Sequence, residues 1–360
     1  MRPTRRETLR ALAALAATLG APALGAAPEV EFADVVPGRP LVFPRDFGAH
    51  PAFRIEWWYI TGWLGPRARG FQITFFRARN AAVTDNPSRF APRQILFAHA
   101  ALADPTRGRL LHDQRAAREG LMLAGAEVGD TRVWIDDWRL ERTAEGYASV
   151  IAAREFTLRL AFAGRRAPLL QGEEGFSRKG RRPQEASYYY SQPQLAVRGT
   201  LAEGRAAAPV EGRAWLDHEW SSAYLPPEAA GWDWIGINLD DGGALMAFVM
   251  RAKGGGVHYA GGTLVERGGT RHSFGPQEVR FEPLRRWRSP RTGVEYPVAM
   301  RVTTAGIEWT LEPLMDDQEL DSRLSTGTIY WEGAVRVSSG GREVGRGYLE
   351  LTGYWKPMTL

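Results

Sequence analysis

The 360-residue chain contains no cysteine. Disulfides, thiol nucleophiles, thiolate metal sites and lipid anchors attached through cysteine are all excluded, so the core must hold by packing alone. Lysine occurs only at positions 179, 253 and 356, so nearly all of the basic charge is arginine. No apolar run of about 20 residues follows residue 30, which excludes a transmembrane helix in the mature chain. Helical periodicity is scarce. There is no G-x-S-x-G elbow, no H-E-x-x-H zinc motif, and no glycine loop ending in Lys-Ser/Thr. Gly254-Gly255-Gly256 and Gly261-Gly262 therefore read as turns rather than nucleotide cradles. No motif implies a metal or an organic cofactor, although His218, His99 and Glu56 are side chains of the type zinc takes.

Residues 1–26 read as an export signal of the twin-arginine type: Arg5-Arg6 with Leu9, an Ala/Leu stretch, then small residues up to Ala26. The expected location is periplasmic or secreted. The formal charge of +5 owes three units to this leader, with four arginines against Glu7, and cleavage would leave +2. No basic stripe is dense enough for DNA or RNA, so no nucleic-acid partner is expected.

Period-2 stretches recur between Gly, Pro, Asn and Asp punctuation. They include "FRIEWWYITGWL", "GFQITFFRAR", "QILFAHAAL", "TRVWIDDWRLE", "SVIAAREFTLRLAFAG", "GWDWIGINL", "GALMAFVMRA" and "GIEWTLEPL". "LDDGGAL" signals a hairpin. Many short strands predict an all-β chain of antiparallel barrels or curled sheets. A faint duplication supports a tandem arrangement. Tyr190 and Val197 are followed by Gly212 and Leu216, and Tyr330 and Val337 by Gly347 and Leu351, at similar spacings. The break falls in Tyr224–Gly231, where two prolines interrupt the strand pattern. The expected domains are 37–223 and 231–357. The polar stretches Gln171–Ser187 and Asn80–Pro92 read as surface loops, the first a candidate flap.

Chemistry concentrates in "RAWLDHEWSSAY", Arg213–Tyr224. If it is extended, Ala214, Leu216, His218 and Trp220 share one face, and Arg213, Trp215, Asp217 and Glu219 the other. The first face is the more apolar, so His218 and Trp220 are expected to enter a cavity. Parity in "RIEWWYI" sets Glu56 with Trp58 and Ile60. His99 shares a face with Ile95 and Phe97 and is expected to point inward as well. An aromatic wall can keep a proton on a carboxyl by desolvation. The expected catalytic groups are His218, Glu56 and Asp217, with Asp217 orienting the strand end. The expected ligand contacts are Trp57, Trp58, His99, Tyr189, Trp220, Trp232 and Trp234.

"HPAFRIEWWYITGWL", "FQITFFR", "LDHEWSS", "GWDWIGINLDDG" and "GYLELTGYW" together resemble the AttH/CrtC-like proteins, over roughly Pro37–Pro357. That family comprises carotenoid 1,2-hydratases and many secreted relatives, described as lipocalin-like or as predicted secreted hydrolases. The resemblance implies two lipocalin-like β-barrel units and no cofactor. It also implies a role for His218, Trp220 and nearby acids in adding water to an isoprenoid double bond. The family's setting adds a possible membrane transport complex as partner. From the residues themselves two functions stand open: a pocket that binds a small hydrophobic ligand, lipid or isoprenoid, and a cofactor-free acid–base enzyme acting on one.

Overall fold

The computed structural model describes residues 31–65, 67–81, 87–88, 90–164 and 166–358. The expected export signal and part of the Asn80–Pro92 stretch lie outside the described residues. The chain is all-β, in two antiparallel sheets of 13 and 10 strands.

The first sheet holds β1 (Ile55–Gly65), β2 (Arg69–Arg79), β3 (Gln94–Asp104), β4 (Arg109–Arg118), β5 (Ala124–Ala126), β6 (Arg132–Ile135), β7 (Trp138–Thr143), β8 (Gly146–Ala152), β9 (Thr157–Ala163), β10 (Leu169–Leu170), β11 (Phe176–Arg178), β12 (Ala186–Glu203) and β13 (Ala206–Ser221). The second holds β14 (Ala229–Leu239), β15 (Ala244–Ala252), β16 (Val257–Val265), β17 (Arg271–Phe274), β18 (Val279–Arg288), β19 (Glu295–Thr304), β20 (Ile307–Pro313), β21 (Glu319–Asp321), β22 (Ile329–Ser339) and β23 (Arg342–Leu351).

Both sheets follow one plan. The first runs β4-β3-β2-β1-β13-β12-β9-β8-β7-β6-β5, and the second β17-β16-β15-β14-β23-β22-β20-β19-β18. Each is an opening meander of four strands whose first member pairs with the last strand of its half. The Tyr-to-Val and Gly-to-Leu similarity in the sequence falls on corresponding strands, β12–β13 and β22–β23. Gly242, at φ 93°, makes the tight turn between β14 and β15 that "LDDGGAL" predicts. The sheets curl as strand twist accumulates, and the first closes almost into a barrel.

Three apolar layers result. One fills the first curled sheet, with Trp58, Ile60, Phe75, Leu216 and Trp220. A second fills the other, with Ile235, Met300, Trp331 and Leu349. The third lies between the sheets, with Tyr59, Trp63, Tyr189, Trp215, Trp234 and Phe248. β1 thus serves two apolar layers, and nearly every residue on it is buried, with no in-out alternation. The segment before β1 plugs the first curled sheet, seating Val35, Phe47, Ala49 and Phe53 in its core. Among the described residues no helix is long and apolar enough to cross a membrane. Gln171–Ser187 is more than a surface flap: β11 pairs with β12, and Lys179 is buried.

Candidate acid–base site

β1 and β13 are hydrogen-bonded neighbours, and their register sets Glu56 opposite Trp220 and Trp58 opposite His218. Cross-strand partners project to the same side of a sheet, so all four side chains enter the first curled sheet together. All four are buried.

Glu56 is the hub. Its Oε1 receives His218 Nε2 at 2.8 Å and His50 Nδ1 at 2.7 Å. Its Oε2 accepts from Arg77 Nε at 2.8 Å and from the His50 amide at 2.9 Å. Arg77, on β2, is itself fixed by Gln94 Oε1 at 2.8 Å and by the His50 and Phe53 carbonyls. His50 comes from the plugging segment, and its Nε2 reaches Asp46 Oδ1 at 3.2 Å.

Proton positions follow from this network. Burial opposes charge on Glu56, but His50 and Arg77 hold its carboxyl well below the usual range, so it is an acceptor only. Both imidazoles must then donate to it. Burial also opposes charge on His50, yet the Glu56 and Asp46 carboxylates raise it above the ordinary histidine value. Burial dominates at His218 and lowers it to about 4, despite Glu56. His218 is therefore neutral, with its one proton on Nε2. Its Nδ1 carries a lone pair and accepts from the Tyr190 hydroxyl at 3.0 Å. A histidine whose charged form is favoured and one whose neutral form is favoured thus share one carboxylate oxygen.

Aromatic faces enclose them. His50 stacks on Trp220, His218 on Trp58 at a centroid distance of 4.6 Å, and Tyr190 stands edge-on to His218. The Trp220 indole N–H is buried without an acceptor among the described residues. His50, Glu56 and His218 also offer donor atoms within 4.8 Å of one another, which a divalent cation could take. With Arg77 and Asp46 beside them the charges already balance, and every ring nitrogen has a protein partner, so the set is read as one that handles protons. A second group, Glu185, Glu228 and His258, lies nearer the surface, where Arg182 pairs with both carboxylates.

The AttH-like family profile matches residues 34–354. The chain belongs to the AttH-like family. A solved structure from Nitrosomonas europaea, itself described as an AttH, is 52% identical over 90% of this chain and 100% of that one, with a TM-score of 0.85. The fold also resembles kievitone hydratase of Nectria haematococca, at 13% identity over 91% of this chain and 98% of that one, with a TM-score of 0.66. CghA, in its structure with Sch210972, is 15% identical over 90% of this chain and 97% of that one, with a TM-score of 0.55. These last two likenesses concern the fold alone. No curated protein sequence matches the chain.

Within this AttH-like protein only part of the expected site comes together. Glu56, Trp58, His218 and Trp220 meet as strand parity requires. Asp217 does not join them. It faces the layer between the sheets, where its carboxylate accepts from Trp215 Nε1 at 2.7 Å, Tyr189 Oη at 2.7 Å and Ser191 Oγ at 2.5 Å. Burial pushes it up to about 7 against those three donors. Tyr189 belongs to the same layer, bonded also by Trp234 Nε1 at 3.1 Å. Tyr188 and Tyr190 are the members of that triplet that enter the first curled sheet.

Trp57 packs edge-on against Tyr224 and so does Trp232, whose indole N–H reaches Glu350 Oε2 at 2.8 Å. Both, with Trp234, sit between the sheets. His99 is likewise turned away from the first curled sheet. Leu96, Ala98, Ala100 and Leu102 fill that interior, which leaves His99 on the opposite face. There it bonds Tyr330 Oη and Ser325 Oγ, both at 2.8 Å, and burial lowers it to about 3. His50, Asp46, Arg77 and Tyr190 are the site residues that sequence reasoning missed.

Proposed function

We propose that the first curled sheet takes an apolar ligand, a lipid or isoprenoid, against Trp58, Trp220 and Tyr190, and that His50, Glu56 and His218 act on it by acid–base chemistry without a cofactor. The observation that carries this reading is the single Glu56 oxygen joined to two imidazoles of opposite proton preference.

Hydration of a trisubstituted alkene suits such a set. The His50 imidazolium gives a proton to the less substituted carbon, leaving a tertiary cation that the indole faces stabilise. Water in the place of the Tyr190 hydroxyl adds to the cation and yields its proton to His218 Nδ1. Glu56 accepts from both rings throughout, and after product leaves His218 sheds its Nδ1 proton and His50 regains one through solvent, so alkene plus water becomes alcohol and both rings are restored. The unpartnered Trp220 N–H is a ready donor to the oxygen. Kievitone hydratase, which shares the fold, is by its name a hydratase. Because His50 belongs to the plugging segment, ligand entry requires that segment to lift. Residues 1–26, read as an export signal, would have the protein meet an apolar substrate outside the cytoplasm.

A second reading, holding without turnover, is favoured by the protein partners that every polar side-chain atom of His50, Glu56 and His218 already has. Incubation with an acyclic isoprenoid alkene in ¹⁸O-water, followed by mass spectrometry of extract and intact complex, separates the readings. A gain of one labelled water supports hydration. An unchanged alkene bound one to one supports holding only. Neither binding nor addition would sink both.

A further inference from the structure

A cavity of about 530 Å³ opens between the two sheets, on the opposite face of β13 from His218. That volume lies within the range of roughly 300–1,000 Å³ seen for small-molecule sites. None of His50, Glu56 or His218 lines it. Its apolar wall is Trp63 and Trp215, both buried. The two indoles are fixed: Trp63 Nε1 donates to the Gly347 carbonyl across the sheets at 3.0 Å, and Trp215 Nε1 to Asp217 at 2.7 Å. Their ring faces are therefore preorganised.

Two features point to the ligand. The first is Thr61, which lines the cavity and is 1% exposed, with a hydroxyl that has no hydrogen-bond partner among the described residues. Leaving a buried hydroxyl unpaired is costly, so such a group marks a place for a polar atom. The second is the arginine pair Arg198 and Arg213. Arg213 sits opposite Ala196 in the β12–β13 register, two residues from Arg198, so the two are diagonal neighbours on one face. Both line the cavity, and neither guanidinium has an ion pair or hydrogen bond among the described residues. Glu211 and Asp240 are on the lining too, but neither guanidinium is within ion-pairing distance of them. Arg346, the third arginine there, is held by Glu343 at 3.1 Å and lies over the Trp63 ring.

We infer that this cleft is a binding site for an amphipathic anion, an apolar body carrying one acidic head, separate from the acid–base site. The body lies on Trp63 and Trp215. The head takes Arg198 and Arg213 as charge-assisted donors, and the Thr61 hydroxyl meets a polar atom of the ligand at the buried end.

Calorimetric titration of the full chain with dodecanoate, dodecyl phosphate, dodecanol and inorganic phosphate tests this. Dodecanoate or dodecyl phosphate is expected to bind at one site per chain, at least about tenfold tighter than dodecanol, and inorganic phosphate not to bind. Which head binds tighter distinguishes a carboxylate from a phosphate ligand. The exposed pair change Arg198→Gln/Arg213→Gln is expected to weaken binding about tenfold or more with an unaltered melting curve. Arg198→Lys/Arg213→Lys, which keeps the charge, should retain most of it. Equal affinity for dodecanol, equal affinity in the Gln pair, tight inorganic phosphate, or no binding at all up to the solubility limit would each overturn the inference. The Gln pair shares no residue with the acid–base site, so isoprenoid turnover and dodecanoate binding succeed or fail separately.

Discussion

The imidazole of His50 lies flat on the indole of Trp220, with ring centroids 3.7 Å apart and planes 6° apart. A residue of the plugging segment is thereby locked to a residue of β13, and the π-face beneath the ring favours its charged form. Trp220→Ala removes both the face and a fully buried side chain. The expected loss is about 3–5 kcal/mol by urea denaturation. In NMR titration His50 should lose its proton at lower pH than in the native protein, while Trp220→Phe should keep most of the native value. An unmoved His50 in the Ala variant would show that the ring face does nothing for its charge.

Glu56 compensates two cations, buried Arg77 and partly buried His50. Glu56→Gln keeps the shape but strands Arg77 and leaves His50 with Asp46 alone, so it is expected to cost about 3–5 kcal/mol, as breaking a buried pair does. The variant is therefore a poor probe of chemistry taken alone, and its stability must be measured beside its rate. A loss under 1 kcal/mol would mean that water reaches the cluster freely.

If turnover needs His50 charged and His218 neutral, the rate falls on the acid side near pH 4, where His218 takes a proton. On the alkaline side it falls above the ordinary histidine value, where His50 loses one. Tyr190→Phe deletes the donor that favours neutral His218, so the acid limb should move to higher pH while the alkaline limb stays. The same residue shapes stability. His218 is depressed in the folded state, so its contribution is complete above about pH 6.5 and is lost as pH falls toward 4. The loss amounts to about 3 kcal/mol at most. Coincident limbs in the native and Phe proteins would remove Tyr190 from the relay.

Between the sheets the sign reverses. Glu332 accepts from Tyr59 Oη at 2.5 Å, and burial together with the neighbouring Glu350 raises it well above the usual carboxyl value. Glu350 is raised to about 7 by burial and by Asp217 and Glu219. A carboxyl raised by folding contributes stability below its unfolded value, about 4.5, and loses it as pH climbs toward the folded value. Glu332→Gln does not titrate. Its stability to urea should gain on that of the native protein as pH rises above 5, at a slope of up to about 1.4 kcal/mol per pH unit. Parallel curves would show that Glu332 is already ionised.

Half of the candidate acid–base site is legible in the sequence because β1 and β13 carry it in strict alternation. Glu56, Trp58, His218 and Trp220 are each two residues from a partner, and one parity assignment per strand aligns all four. His50 lies in a plugging segment without period, so nothing in the chain ties it to Glu56. Arg77 is one arginine among dozens until burial singles it out. The errors share a cause. β3 and β12 are covered on both faces where they matter, and alternation then has no solvent side to give it a zero. Ile95 and Phe97 are as apolar as an inner face demands, but Leu96 and Ala98 define it. Tyr188-Tyr189-Tyr190 poses the same ambiguity. The paired sheets were legible because turn punctuation and strand period survive burial on both sides.

The double duty of β13 limits how this protein can change. His218 and Trp220 serve one compartment, while Trp215 and Asp217 serve another, on alternate residues of a single strand. One residue inserted or deleted within Ala214–Trp220 would move everything beyond it to the wrong compartment. An imidazole would be sent toward the buried acids between the sheets and a carboxylate in among the indoles. Either compartment can drift by substitution in place, but neither can be retuned by a change of length. Variation in loop length is thus free to accumulate in this molecule only where a strand does not divide two rooms.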